Sequence, residues 1–344
     1  MKVSSRVRDG SILLTALVVS LALLDASGLS FWQGMGITLA IFVVLVVSLN
    51  LANGFTGVFT LGQIGFMALG AYITAILTLP VADKREYLPD LPDFLAHMAF
   101  DQMVGPVPVG WLAATLIAAV IVAGIATLVG AVLMRLSGPF VSVATLGFLV
   151  IVRVVLFNAD SFTRGSRTFS NVTPYTDLWW AWAVAVVVVY VVWRIKRSSF
   201  GRQMFAQRGD KWAAQSVGIS VLRPRLVAFV VSAFFTAIAG SLYAHFILSF
   251  SPTVFYFDLT FRVVTMLVVG GMGSVSGSVI GAALIVALSE GLRRVEDASL
   301  LYGVSGILLA TFLILVIIFR PAGIMGEREV SFDRLFRRGG PGGT

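Results

Sequence analysis

The stretch "VVGGMGSVSGSVIGAAL", residues 268–284, places five glycines and three serines inside an apolar segment. The apolar pieces on either side, about 259–269 and 278–289, are each shorter than the roughly 20 residues that a helix needs to cross a bilayer. Because glycine lets a backbone bend and approach a neighbour closely, this stretch predicts a broken helical hairpin. A re-entrant hairpin and a tight pair of spans both fit the pattern.

The rest of the chain has the composition of a membrane protein. Of its 344 residues, 58% are hydrophobic and 12% are charged, and the mean hydropathy is +0.95. We therefore predict an all-α polytopic integral membrane protein with about 8 full transmembrane helices plus the Gly-rich hairpin, 8–10 spans altogether. The predicted full spans are 11–30, 33–52, 56–80, 109–134, 139–157, 178–193, 226–248 and 300–319.

Loop charges predict the orientation. Residues 194–225 hold eight basic side chains and one acid, whereas residues 81–108 hold two basic side chains and five acids. By the positive-inside rule the first loop is cytoplasmic and the second is outside. This predicts a cytoplasmic N-terminus at 1–10, a transmembrane domain at 11–319 and a basic cytoplasmic tail at 320–344. The expected location is the bacterial inner membrane, with the first span retained rather than cleaved as a signal peptide.

A second glycine-rich hairpin lies in "LNLANGFTGVFTLGQIGFMALGAY", residues 49–72. Both hairpins run outside to inside to outside in the predicted topology, which indicates two pseudo-repeated halves joined as a parallel repeat. Duplicated halves with interrupted helices are typical of transporters. The predicted interfacial turn is marked by Asn50, Asn53, Gly54 and Gly57. In the following span, Gly62, Gly65 and Gly70 carry no side chain and allow close packing.

The glycines allow two interpretations. Gly273, Gly277 and Gly281 are spaced by four residues, so they can form a helix face that packs closely on another backbone. Alternatively, Gly270 to Gly277 is a break that borders a substrate route, because irregular backbone at membrane depth must face protein or water. Gln63, inside a span, can likewise bond a neighbouring helix or face that route. The candidate pathway residues are Gln63, Gly65, Gly270, Gly271, Gly273, Ser274 and Gly277.

The loop sequence "RGDKWAAQSVGISVLRPR", residues 208–225, predicts a short helix between two spans. Asp210 is the expected N-cap and Gly218 the expected residue after the C-terminus. Such a helix exposes an apolar surface that needs a partner, either another protein or the lipid headgroups. The residues predicted to form this surface are Trp212, Ala213, Ala214 and Val217.

Other classes of function lack support. The chain has no cysteine, and its two histidines, His97 and His245, are far apart in the sequence, so a metal site has little support. A serine protease built from His245 with Ser274 or Ser276 is equally weakly supported, because serines among glycines are also ordinary in helix packing. No lysine follows a glycine, so there is no phosphate-binding loop, and the basic residues lie in loops rather than in a nucleic-acid stripe. A channel or ion-coupled carrier remains an alternative, but its expected intramembrane acids are missing.

Four ordered blocks resemble a known family. "LNLANGFTGVFTLGQIGFMALGAYITA", "FGRQMFAQRGDKWAAQSVGISVLRPRLVAFVVSAFFTAIAGSLYAH", "MLVVGGMGSVSGSVIGAALI" and "FRPAGIMG" look like the LivM-type permease of branched-chain amino-acid ABC importers. The resemblance implies that the loop at Asp210, Ala213, Ala214 and Gly218 docks on an ATPase. It also implies a homologous second permease, two cytoplasmic ABC ATPases that use ATP, and an external substrate-binding protein, with no cofactor bound by this chain.

The resemblance is weaker for the substrate than for the family. Where members of the family carry acids, this chain has Val150, Arg167, Lys211 and Arg262, and Arg164 replaces a glycine, whereas Arg153 matches an expected basic residue. A branched-chain or related amino acid is therefore the expected substrate. Urea or another small polar or carboxylate solute is the alternative.

Overall fold

The computed structural model describes most of the chain, namely residues 18–22, 24–26, 28–88, 91–105, 107–299, 303–320 and 322–329. The predicted N-terminus at 1–10, much of the predicted span 11–30 and the tail beyond residue 329 lie outside the described residues. Throughout those described ranges the regular elements are α-helices, with only two isolated β-bridges. The predicted all-α class is therefore confirmed.

The described helices differ widely in length, and six of them are long and apolar enough to cross a membrane. In chain order the helices are α1 Ser30–Thr56, α2 Gln63–Thr78, α3 Val81–Tyr87, α4 Asp93–Ala96, α5 Val109–Leu133, α6 Pro139–Asn158, α7 Asp160–Thr163, α8 Leu178–Arg197, α9 Ser199–Gly209, α10 Lys211–Ser216, α11 Leu222–Ile247, α12 Phe257–Gly270, α13 Val275–Ser299 and α14 Val304–Phe319.

Three predicted boundaries were wrong. The predicted span 33–52 ends too early and the predicted span 56–80 starts too early, because α1 continues through Asn53 and Gly54 to Thr56 and the chain then forms a loop until Gln63. The hairpin at the glycine stretch is also unequal. Its first helix, α12, has 14 residues, but α13 has 25 and is not a half-helix.

Helix α1 lies at the centre of the described bundle. Within its most apolar window, 83% of the residues are buried, and it packs against α8, α11 and α13. Helices α2 and α11 cross at close range. A Cβ atom added to Gly70 would lie 2.3 Å from the Ala237 carbonyl oxygen, and one added to Gly240 would lie 2.0 Å from the Met67 carbonyl oxygen. Glycine on both helices therefore brings the two backbones into contact.

The two ends of the bundle differ in composition. We call the end that holds α9, α10 and the turn at residues 271–274 the loop end, and the opposite end the far end. The far end carries the short helices α3, α4 and α7 and a backbone bridge between Phe169 and Phe250. Both hairpin turns lie at the loop end, because Arg208 reaches both Gly57 and Gly273. The two hairpins thus point the same way, as a parallel repeat requires.

Candidate functional site at the loop end

Helix α10 forms as its sequence predicts. The Asp210 side chain accepts hydrogen bonds from the backbone N–H groups of Trp212 and Ala213, at 2.8 and 3.1 Å, which confirms the N-cap. Gly218 follows the helix with a φ of +80°, the conformation expected of a glycine that ends a helix. We call this helix, together with Val217 and Gly218, the coupling helix.

Much of the predicted apolar surface of the coupling helix is exposed. Trp212 is 75% exposed and Val217 is 73% exposed, and Ala213 is exposed as well. Ala214 differs from the prediction because it is buried, at 4% exposure, against the rest of the chain. The helix is therefore held by Ala214 and presents two large apolar side chains, Trp212 and Val217, outward.

Two long basic side chains connect the loop to the glycine hairpins. Arg208, the last arginine before the coupling helix, donates through Nη1 to the Gly54 carbonyl oxygen at 2.6 Å. Lys196, at the end of α8, donates through Nζ to the Gly273 carbonyl oxygen at 2.6 Å. The end of α1 and the glycine turn are thus each tied to a residue near or inside the loop.

The glycine turn itself covers residues 271–274. Gly271 and Gly273 have φ angles of +113° and +97°, which a residue with a Cβ rarely adopts, so the turn requires glycine at both positions. The buried Asn50 side chain on α1 holds the turn. Its Nδ2 donates to the Ser274 carbonyl oxygen and to the Ser278 hydroxyl, and its Oδ1 accepts from the Gly273 N–H, each at 2.8 Å.

The predicted stripe of Gly273, Gly277 and Gly281 is only partly a helix face. Gly273 lies in the turn, before α13 begins. Gly277 and Gly281 pack inside the hairpin, where added Cβ atoms would lie 2.6 Å from the Gly270 carbonyl oxygen and 2.1 Å from the Met266 carbonyl oxygen. These glycines therefore allow α12 and α13 to pack on each other. The hairpin turn packs on the end of α1, where Gly54 lies against the Gly273 backbone nitrogen.

The tail segment 322–329 packs over the glycine turn at the loop end. Ile324 and Met325 donate backbone hydrogen bonds to the carbonyl oxygens of Val269 and Gly270. The Glu329 carboxylate accepts from the backbone N–H groups of Val275 and Ser276, both at 2.9 Å, and so caps the first turn of α13. The tail was predicted only as a basic cytoplasmic extension, and this docking was missed.

Glu329 also connects the tail to α8. Its Oε1 lies 2.5 Å from Lys196 Nζ, so one lysine touches both the glycine turn and the tail. Burial by itself raises the pKa of the Glu329 carboxyl. Hydrogen bonds from Lys196, from the Ser276 hydroxyl and from the two N–H groups outweigh that effect, and the pKa lies below its usual value. The carboxylate is thus held in its charged form.

The pathway candidates on α2 lie in packed surroundings. Gln63 is 4% exposed, and its Oε1 accepts from the Thr236 hydroxyl on α11 at 3.4 Å, a contact between helices. Its Nε2 is buried and has no hydrogen-bond partner among the described residues. A Cβ on Gly65 would contact Phe148 and Val152 of α6. In this chain both residues lie between helices, and their predicted role beside a route stays a prediction.

The serine and histidine residues considered as a catalytic pair lie at opposite ends of the described bundle. His245 is buried at the far end, where its Nε2 pairs with the Thr78 hydroxyl and its Nδ1 with the Ser241 carbonyl oxygen. Ser274 and Ser276 lie at the loop end, so the histidine cannot serve them as a base. No group of three or more metal-ligating side chains occurs within the described ranges.

The family described as branched-chain amino acid transport system / permease component matches residues 34–317. The chain belongs to this permease family. It is a membrane permease subunit of an ABC importer, and the resemblance noted in its sequence is confirmed. The match includes both glycine hairpins and the coupling helix, although it ends before the docked tail.

Individual relatives agree with this membership. The permease is 29% identical over 319 residues to the high-affinity branched-chain amino acid transport system permease protein LivM of Escherichia coli K12, covering 83% of this chain and 68% of the relative. It is 30% identical over 176 residues to LivH of Salmonella typhimurium, covering 51% and 55%. A probable LivM of Methanocaldococcus jannaschii is 19% identical, covering 84% and 92%. No solved structure matches.

Several residues of the site were not predicted from the permease sequence. Asn50 was interpreted as part of an interfacial turn, but a lone amide among apolar residues is also the signal of a hydrogen bond between helices. Lys196 and Arg208 were treated only as loop charges, and Glu329 only as one of the charges of the tail. The acids of the tail were a usable signal, because a carboxylate close to a basic loop has a ready partner.

Proposed function

We propose that this permease imports branched-chain or related amino acids and is driven by separate ATPase subunits that dock on the coupling helix. The family match across residues 34–317 carries the proposal. The relatives named above are described as transporters of branched-chain amino acids. On this proposal the chain binds no cofactor, and ATP is used by the partners.

The coupling helix supports the docking role through its exposed apolar side chains. Fully burying one large apolar side chain contributes about 1.5–3 kcal/mol, so Trp212 and Val217 together are enough to anchor a helix in a groove. Because the helix is capped and held by Ala214, little further ordering is needed when it docks. A preformed helix with two projecting anchors suits a protein groove.

The contacts around the coupling helix support a route by which its movement reaches the spans. Arg208, two residues before Asp210, is bonded to the end of α1, and Lys196 is bonded to the glycine turn and the tail. A shift of the loop by a docked ATPase therefore acts on α1 and α13 through charged hydrogen bonds. We propose that this network transmits the movement of the ATPase subunits to the spanning helices.

We further propose that the loop end is cytoplasmic, with both termini on that side. The eight-to-one excess of basic residues in 194–225 supports this orientation. A homologous second permease is a proposed partner, because relatives of both the LivM and the LivH kind match this chain. Two ATPases at the loop end and a substrate-binding protein at the far end complete the proposed assembly.

The turn from Gly270 to Gly277 is proposed to border the substrate route. Within this chain its atoms pack against Asn50 and the tail, so access to it must arise in the assembly or at another stage of transport. The chain contains no cysteine, which permits cysteine scanning from Gly271 to Ser278. Labelling by a small hydrophilic thiol reagent should change with nucleotide or with loaded binding protein. Unchanged labelling at every position would leave these residues a packing role alone.

A small carboxylate solute is the second candidate substrate. Arg153 and Arg262 lie on the apolar helices α6 and α12, and neither makes a salt bridge with the described residues. The Arg153 guanidinium stacks 3.9 Å from the centre of the Tyr256 ring, which leaves charge available for an anion. Uptake assays with branched-chain amino acids and with simple carboxylates distinguish the two candidates.

The docking proposal is tested with the importer reconstituted from this chain and its partner subunits. Trp212→Ala and Ala213→Glu should reduce substrate-stimulated ATP hydrolysis at least tenfold, because they remove an anchor or place a charge in the interface. Ala206→Glu is the matched control, since Ala206 is also exposed but lies on the neighbouring helix α9. Full stimulation in both coupling-helix variants would contradict the assignment.

A further inference from the structure

A groove at the loop end has an unusual excess of positive charge. It measures about 410 Å³ and lies between the end of α5, the coupling helix and the start of α11. We call it the basic groove. Three cationic side chains line it without a carboxylate among the lining residues, and hydroxyl groups stand beside them. Its main lining residues are Arg135, Ser137, Lys211, Ser220, Leu222 and Arg225.

The cations of the basic groove lack an internal counter-charge. Within the described ranges, Arg135, Lys211 and Arg225 take part in no salt bridge. The Nε of Arg225 is buried and has no hydrogen-bond partner in the described chain. The nearest acid in the sequence, Asp210, uses its carboxylate to cap the coupling helix. Three cations held together without an acid repel each other, so an external anion would be bound with favourable electrostatic energy.

The surface below the groove is apolar and exposed. Leu128 and Val132 are 75% and 67% exposed near the end of α5, and Arg135 follows two residues after that helix ends at Leu133. Arg135 thus stands at the end of an apolar stripe of a spanning helix. The groove also includes Leu222, the first residue of spanning helix α11. Its depth is therefore that of the lipid headgroups, with room for an acyl chain along α5.

We propose that the basic groove binds the phosphate of an anionic phospholipid headgroup. Arginine guanidinium groups bind phosphate through paired N–H donors, and basic pockets between spanning helices are typical headgroup sites. The position of the groove favours a lipid over an acidic loop of an ATPase, because the groove lies where a spanning helix begins and continues into the exposed apolar surface of Leu128 and Val132. A lipid satisfies both surfaces. Since Lys211 begins the coupling helix, the bound lipid also stabilises the base of that helix.

The test uses the purified permease in detergent, titrated with phosphatidylglycerol and, separately, with phosphatidylcholine while bound lipid is counted by native mass spectrometry. Arg135→Gln with Arg225→Gln removes two groove charges and should weaken phosphatidylglycerol binding about 10- to 30-fold. The matched control is Arg202→Gln with Arg223→Gln, which removes two exposed loop-end charges outside the groove. The control should change binding less than threefold.

Several outcomes would overturn the proposal. Equal losses in the two double variants would mean that the attraction is general to the loop end. Equal binding of the two lipids, or displacement of the lipid by soluble glycerol phosphate at similar concentration, would exclude an anionic lipid site. If Arg135→Gln with Arg225→Gln abolishes ATPase binding in the reconstituted importer and leaves lipid binding intact, the groove belongs to the partner protein.

A second measurement needs no variant. A photoactivatable phosphatidylglycerol is irradiated with the unaltered permease, and the modified peptides are mapped. Adducts should concentrate in residues 128–137 and 220–228, the segments that form the groove and its stripe. Adducts spread evenly over all spanning helices would contradict the proposal even if the double variant failed to fold.

Discussion

The two hairpins are both rich in glycine, but their glycines make different contacts. In the first, α1 to α2, the glycines of α2 face other helices: Gly65 contacts α6 and Gly70 contacts α11. In the second, α12 to α13, Gly270, Gly277 and Gly281 contact each other's helices within the hairpin. Glycine allows close helix packing in both cases. In the first hairpin the close contacts are with other helices of the bundle, and in the second they are between the two helices of the hairpin.

The turns differ in a related way. The first turn is closed locally, because the Asn53 side chain bonds both the N–H and the carbonyl oxygen of Thr60, each at 3.1 Å. The second turn is held by Asn50, Lys196 and Glu329, all of which are distant in the sequence. Both turns are tied to the loop, since Arg208 bonds Gly54 at the end of α1, but within the described residues the tail bonds the second turn, where the Ser274 hydroxyl donates to Glu329. This difference explains why the second turn is the better candidate for a moving part.

The largest expected effect comes from adding a methyl group where backbones touch. Gly270→Ala and Gly70→Ala should each cost about 3 kcal/mol of unfolding free energy, because the new Cβ meets backbone atoms at 2.2–2.3 Å. Gly124→Ala is the control. No atom lies within 4 Å of its added Cβ, so it should be neutral or stabilise by up to about 1 kcal/mol. Unfolding in detergent measures all three.

A second substitution sharpens this test. Ala237→Gly should not restore the stability of Gly70→Ala, because the clash is with the backbone of residue 237 and not with its methyl group. Rescue would mean that α2 and α11 adjust by repacking side chains, and that the two helices move apart more easily than their close crossing indicates.

Asn50→Ala and Asn53→Ala should separate the two turns. Each substitution leaves a backbone N–H of its own turn without a partner, at a cost of about 1–3 kcal/mol. Amide hydrogen exchange should become faster at Gly273 in Asn50→Ala and at Thr60 in Asn53→Ala. Exchange at the amide of the other turn should stay unchanged in each variant. Faster exchange at both amides in either variant would show that the turns are coupled and would weaken the contrast between them.

Glu329→Gln should loosen the tail more than Glu327→Gln does. Glu329 is 24% exposed and caps α13, so losing its charge should cost about 1–3 kcal/mol. Glu327 is 68% exposed in its pair with Arg208, and such pairs contribute about 1 kcal/mol or less. Thiol labelling of Met325→Cys reports release of the tail. Equal labelling in both variants would exclude Glu329 as the main anchor.

The smallest expected effect is a dependence of tail docking on pH. The pKa of Glu329 lies below its usual value of 4.5, so its contribution to docking is complete above pH 4.5 and is lost as the pH falls through the lower, folded-state pKa. Labelling of Met325→Cys by a reagent that is active in acid should be constant from neutral pH to about pH 5 and should rise below pH 4.5. In the Glu329→Gln background this rise should be absent.

The sequence by itself determined the features that depend on local composition. Hydropathy predicted the long helices from α5 to α11 to within four residues at each end, because a spanning helix is defined by its own apolar length. Asp210 and Gly218 predicted the ends of the coupling helix for the same reason, since a cap involves neighbours in the chain. The family blocks likewise depend on local residue patterns.

Only the tertiary structure decided which distant residues meet. Asn50 bonds Ser274 across 224 positions, and Lys196 pairs with Glu329 across 133. Each of these side chains had many possible partners in the sequence, and hydropathy does not distinguish among them. The choice depends on how α1, α8 and α13 pack together, because a hydrogen bond forms only within about 3 Å and the packing of whole helices sets such distances.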